Sequence, residues 1–121
     1  MIFRYLQARI RSFGYAIRGV KVLIVTQAHA KLHLIATVSV LITGKLLHLR
    51  RWEWAAILLC IGIVWMAEAL NTALEFLADE VSLEKRELIG RAKDVAAGGV
   101  LISATISVLV AALVFWQHLR P

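Results

Sequence analysis

The sequence predicts an all-α membrane protein: an N-terminal amphipathic surface helix followed by three membrane helices, in one domain covering residues 1–121. Three observations predict it. Apolar residues make up 60% of the chain, above the roughly 45–50% typical of soluble domains. They are gathered into long blocks that exclude charge. Ahead of those blocks lies a segment with a different period, apolar on one side and basic on the other.

That segment, residues 1–31, comes first. Ile2, Leu6, Ile10, Phe13, Ile17, Val20 and Ile24 recur at spacings of three and four, which is one stripe of an α-helix. Arg4, Arg11 and Arg18 recur every seven residues on the other side. Such a basic amphipathic helix lies in the membrane interface with its apolar face down. Ala28-His29-Ala30 has the look of a signal-peptide cleavage site. The apolar stretch before it, Val22 to Val25, falls short of the 7–15 residues an h-region needs, so the helix is expected to be retained.

The first membrane helix is expected over 32–49, with Lys45 and His48 near its end snorkelling to the interface. The second, 54–78, runs without charge from Trp54 to Ala67 and then continues through Glu68. The third, 95–116, has no charged residue in 22 positions and is long enough to cross the hydrocarbon core. Trp52, Trp54 and Trp116 stand at block edges, as in an aromatic belt. Gly98 and Gly99 lack side-chain bulk and are expected to admit a neighbouring helix. Cys60, the only cysteine, lies in an apolar run; it allows no intramolecular disulfide and no cysteine-based metal site.

The net charge of +6 does not indicate nucleic acid, because the basic residues gather at block edges, where anionic headgroups lie. With three spans, the amino terminus and the second connection carry ten basic residues on one side; Lys45, Arg50, Arg51 and Arg120 make four on the other. The first side is expected to be cytoplasmic. It also holds the glutamate-bearing end of the second span.

At 100° per residue, Glu68, Asn71, Glu75 and Asp79 share an arc of about 80°. Charges in a span cost at least roughly 2.5–3.5 kcal/mol each, so the stripe is expected to face protein or a polar cleft and is a candidate functional site. Lys93 and Asp94, just before the third span, are expected at the depth of its lower end. Carboxylate and amide oxygens suit Mg²⁺ held together with substrate phosphates. A base, a metal carboxylate and a phosphate-facing lysine are the minimum for phosphoryl transfer. Spacing alone equally permits polar contacts between packed helices, or a small proton-coupled transporter subunit using Glu68. No P-loop or protein-kinase motif is present.

The run Glu68-Ala-Leu-Asn-Thr-Ala-Leu-Glu75-Phe-Leu-Ala-Asp79, with Gly90-Arg-Ala-Lys-Asp-Val-Ala-Ala-Gly-Gly-Val-Leu101, closely resembles the signature of the prokaryotic diacylglycerol kinase family. The resemblance extends over nearly the whole chain, from Ser12-Phe-Gly-Tyr-Ala-Ile-Arg-Gly19 through three spans and an intervening cytoplasmic helix. The wording Lys93-Asp94-Val-Ala-Ala-Gly is more similar to the undecaprenol kinase branch. The resemblance implies a homotrimeric lipid kinase of the prokaryotic inner membrane, with ATP as phosphoryl donor and Mg²⁺ as cofactor. Its substrate would be diacylglycerol or undecaprenol, in phospholipid biosynthesis or lipid-carrier recycling.

By the same resemblance, Glu68 is the catalytic base and Glu75 a Mg²⁺ ligand at the nucleotide. Asn71 and Ala97 line the substrate site. Tyr15, Glu84, Arg86, Lys93 and Asp94 contact the nucleotide, with Glu84 and Arg86 on the connecting helix. One position departs from the family pattern. A second metal carboxylate near the end of the surface helix is replaced by Gln27, which offers a carbonyl oxygen and no charge. Mg²⁺ affinity is then expected to be weaker or to rest more on the ATP phosphates. His29 and His33, four residues apart, have a metal-binding spacing, but they stand at the membrane entry and are read as interfacial. Trp65 is read as a packing or lipid-facing residue.

Overall fold

The computed structural model describes residues 2–119; Arg120 of the tail and the side chain of Ile2 in the apolar stripe lie outside what is described. All regular structure among the described residues is helical: α1 (Ile2–Thr26), α2 (Ala28–Leu46), α3 (Arg51–Val81) and α4 (Glu87–Leu119).

The surface helix ends earlier than the sequence suggests, because the backbone leaves helical geometry at Gln27 (φ −98°, ψ 122°). Thr26 contributes: its hydroxyl donates back to the Val22 carbonyl (2.8 Å), tying off the last turn. Residues 28–31 therefore belong to α2, and α1 and α2 meet at a bend of 100°. Ala30 is fully buried in that corner. A bend near a right angle suits a helix in the interface leading into one that enters the bilayer.

α2 also stops short of its expected end. The Leu47, His48 and Leu49 amides fold back onto the carbonyls of Thr43, Lys45 and Gly44. His48 takes a left-handed φ of 55°, a region histidine tolerates better than most residues. Leu49 and Trp54 thereby close on Gly44, where a Cβ would stand 2.9 Å from Leu49 Cδ1 and 3.0 Å from the Trp54 ring. Within the chain the close approach falls at Gly44: beyond the local helix backbone, no atom of the described residues lies within 4 Å of a Cβ built on Gly98 or Gly99.

α3 begins with the Arg50 amide donating to Glu53 Oε2 at 2.6 Å. The same carboxylate oxygen lies 3.0 Å from His118 Nε2 and ties the start of α3 to the end of α4. At 1.5 Å per residue the 31 residues of α3 reach about 46 Å, beyond a roughly 30 Å hydrocarbon core. Its last turns can stand in water while its middle is in lipid.

The expected connecting helix is absent among the described residues. Ser82 is extended, its hydroxyl accepts the Glu84 amide (3.1 Å), and the link 82–86 is non-helical. Helix resumes at Glu87, well before residue 95, where Glu87 pairs with Arg91 one turn on at 2.6 Å.

α3 and α4 pack along their length, and α2 joins them through Trp65 Nε1, which donates to Thr37 Oγ1 at 3.0 Å. Polarity is inverted relative to a soluble fold. Leu58, Leu59, Ile63, Leu101, Ile102 and Leu109 point outward, while Glu68, Asn71, Thr72 and Ser103 are buried. α3 and α4 are each long and apolar enough to cross a membrane; α1 and α2 qualify only together, as one bent pair. The chain is a membrane protein.

Candidate active site

The site is built on α3. Its residues one and two turns apart stack on one side, and α2 and α4 close over them. Deepest is Glu68, 3% exposed, on the same face as buried Val64 one turn before it. Nε2 of His33, on α2, lies 3.9 Å from Glu68 Oε2, within ion-pair distance when the imidazole is protonated and too far for a direct hydrogen bond. His33 thus stands opposite the carboxylate. Within the sequence it could be paired only with His29; its real partner, 35 residues on, is set by the antiparallel register of α2 and α3.

One turn toward the water, Asn71 Nδ2 donates to Glu75 Oε1 at 3.1 Å. The Asn71 side-chain oxygen and the Thr72 hydroxyl are buried without a hydrogen-bond partner. A buried orphan acceptor carries a cost unless something else engages it. The Glu75 carboxylate and the Asn71 amide oxygen are hard oxygen donors of the kind Mg²⁺ takes. Among the described residues no three His, Cys, Asp or Glu gather into a metal cluster. The donor set therefore fits an ion that draws its remaining ligands from phosphates and water.

At the outer end of the stripe, Asp79 Oδ1 receives Lys93 Nζ at 2.9 Å. This places the start of α4 level with the lower end of the carboxylate face, as the sequence predicts. Around the pair opens a cavity of about 620 Å³, lined also by Glu84, Arg86 and Gly90. That size lies within the range of small-molecule sites. Glu84 and Arg86 reach it from the non-helical link and not from a helix.

The remaining expected site residues are Tyr15, Asp94, Ala97 and Gln27. Tyr15 on α1 is 63% exposed, with the Arg18 guanidinium 4.7 Å above its ring. Asp94 and Ala97 are exposed on α4. Gln27 is half-buried at the α1–α2 break, its amide nitrogen 3.5 Å from Thr26 Oγ1.

Going from the bilayer toward water, the arrangement offers a buried carboxylate, an amide–carboxylate oxygen pair, and a lysine over an open cavity. The model of the prokaryotic diacylglycerol kinase family matches residues 14–115. Undecaprenol kinase of Bacillus subtilis is 38% identical over 109 residues, covering 90% of this chain and 89% of the relative. Diacylglycerol kinase of Synechocystis sp. is 40% identical over 100 residues, 82% of this chain and 57% of the relative. Diacylglycerol kinase of Escherichia coli is 26% identical over 109 residues, 90% and 89% of the two chains.

Proposed function

This chain belongs to the prokaryotic diacylglycerol kinase family, on its undecaprenol kinase side, and is a lipid kinase; we infer that it moves the γ-phosphoryl group of ATP onto the hydroxyl of a membrane lipid alcohol. The reading rests on one observation above all: Glu68 is buried at 3% exposure, one turn deeper than the Asn71–Glu75 pair. A carboxylate at that depth meets a lipid hydroxyl, while the oxygen pair and Lys93, nearer the water, meet a nucleotide.

In this mechanism Glu68 accepts the proton of the lipid alcohol as its oxygen bonds to the γ-phosphorus. The bond to the bridging oxygen breaks and its electron pair leaves on ADP. A positioned base of this kind contributes about 10²–10⁴-fold. Asn71, hydrogen-bonded to Glu75, fixes the carboxylate's rotamer and lines the gap between lipid and nucleotide. Lys93, freed from Asp79 or shared with it, faces the phosphates, with Arg86 and Glu84 on the same cavity wall. Tyr15, Asp94 and Ala97 complete the nucleotide and lipid contacts.

Glu75 and the Asn71 oxygen would hold Mg²⁺, with Gln27 as a weak neutral donor. The ion supplies charge neutralisation at the phosphates. Because Gln27 brings no charge, Mg²⁺ affinity would be weaker or would rest more on the ATP phosphates.

The same reading makes the protein a homotrimer of the prokaryotic inner membrane, with three spans per chain and its site toward the cytoplasm. Its product would feed phospholipid synthesis or lipid-carrier recycling. The test is ADP release by purified protein in sealed vesicles, with lipid alcohol in the bilayer and Mg²⁺-ATP added outside. Release that requires both the alcohol and Mg²⁺, from one orientation only, supports the reading. Turnover driven by a transmembrane pH gradient without lipid product would replace it with proton transport.

A further inference from the structure

Each turnover of the reaction above leaves one proton on Glu68, and a base that keeps its proton cannot take the next one. The carboxylate has no open route to water along its own helix. Val64 one turn deeper and Asn71 and Thr72 one turn outward are all buried. On α4, Ser103 is buried too, and the sequence carries no charged residue between Asp94 and His118.

The group set against Glu68 comes from α2. Nε2 of His33 stands 3.9 Å from Glu68 Oε2, and among the described residues neither side chain has another hydrogen bond or ion pair. The two differ in their access to solvent: the side chain of Glu68 is 3% exposed and that of His33 is 20% exposed. The gap is too long for a direct hydrogen bond, but one water bonded to both atoms at about 2.8 Å spans it. Imidazole suits the task, because it takes a proton on one ring nitrogen, gives one from the other, and changes charge between about pH 5 and 8. The other titratable groups on the packed helices are paired or turned to solvent. Glu75 is bonded to Asn71 and Asp79 to Lys93, while Lys21 on α1, His29 and Lys31 on α2, Glu80 on α3 and Asp94 on α4 are exposed.

We propose that His33 is the proton exit of Glu68, carrying the alcohol's proton from the sealed carboxylate to water after each phosphoryl transfer. The balance is one proton per turnover. The alcohol's O–H bond breaks and its proton goes to Glu68 as the oxygen bonds to phosphorus. The new O–H bond on Glu68 then breaks, and through the bridging water a proton reaches the Nε2 lone pair of the neutral ring. The Nδ1 proton leaves to solvent, and the neutral ring returns to its starting tautomer by exchange with water. The proposal rests on the kinase reading with Glu68 as base.

A relay acts after the chemistry, so it is separated from a structural role by comparing the first turnover with the later ones. The assay is rapid-quench measurement of lipid phosphate by full-length protein in nanodiscs, with undecaprenol and dioctanoylglycerol as acceptors and Mg²⁺-ATP as donor. In His33→Gln the first turnover should run at the wild-type rate. Steady-state kcat should fall by about 10²-fold, the low end of what a positioned proton-transfer group contributes. KM for ATP should not change. In His33→Ala, imidazole added to the buffer should restore steady-state turnover, while pyrazole, equal in shape and far less basic, should not. A first turnover slowed or lost in His33→Gln, an unchanged kcat, no rescue, or equal rescue by imidazole and pyrazole would overturn the relay. Absence of any lipid phosphate from the wild type, or a normal first turnover in Glu68→Gln, would instead sink the kinase reading on which it stands.

Discussion

Glu68→Gln removes one ionisable oxygen and keeps the shape of the side chain. Glu68 is 3% exposed and its nearest ionisable partner, His33, is 3.9 Å away. As the base for the lipid hydroxyl it lowers the barrier by about 2.7–5.4 kcal/mol, so turnover should fall by about 10²–10⁴-fold. Nucleotide binding should hardly change, because Glu75 and Lys93 lie farther toward the water and keep their partners, Asn71 and Asp79. Stability should stay level or rise, since a buried carboxylate without a direct hydrogen bond is costly to desolvate. The assay is turnover, ATP affinity and thermal unfolding on one preparation in the same detergent or nanodisc. Near-normal turnover would refute the assignment of Glu68 as base. A large loss of ATP affinity would instead move it to the metal site.

Other substitutions separate the remaining parts. Glu75→Gln should raise the Mg²⁺ concentration needed for half-maximal rate and weaken ATP binding, as titration will show, while the elution volume on size-exclusion chromatography stays that of the wild type. Lys93→Met should raise KM for ATP by about 10–100-fold, since a charge-assisted bond to phosphate is worth about 1.5–3 kcal/mol. Asp79→Asn should shift unfolding by less than about 1 kcal/mol, because the Asp79–Lys93 pair is substantially exposed (side chains 56% and 36%). Gly44→Val should lower the melting temperature, because Leu49 and the Trp54 ring already stand 2.9 and 3.0 Å from where a first carbon would go. A cost of about 1–3 kcal/mol is typical of such overpacking.

What the sequence makes legible is what a single helix can carry. The 3.6-residue period puts Glu68, Asn71, Glu75 and Asp79 on one face, and the structure stacks them so, with Lys93 at the lower end. The amphipathic start and the long charge-free blocks need no tertiary information either. What stays hidden lies between helices or in backbone geometry. Gln27 breaks the chain without a glycine, a proline or a side-chain cap. The early restart at Glu87 depends on a serine turn and a surface ion pair. Within the chain Gly44 takes the close contact because the reversal that bonds the Leu49 amide to the Gly44 carbonyl folds Leu49 back on it. His33 facing Glu68 and His118 facing Glu53 depend on helix register across 35 and 65 positions. Matching depths along antiparallel helices was the one signal available for His33, and it requires the helix ends to be known.

Label transfer from γ-labelled ATP, with undecaprenol and diacylglycerol offered together in one bilayer, tests the central claim most directly. Labelled phosphate should appear on a lipid alcohol in wild type, dependent on Mg²⁺, and should vanish to about 1% or less in Glu68→Gln. Label that appears only as free phosphate, or equal lipid labelling by wild type and Glu68→Gln, would contradict it.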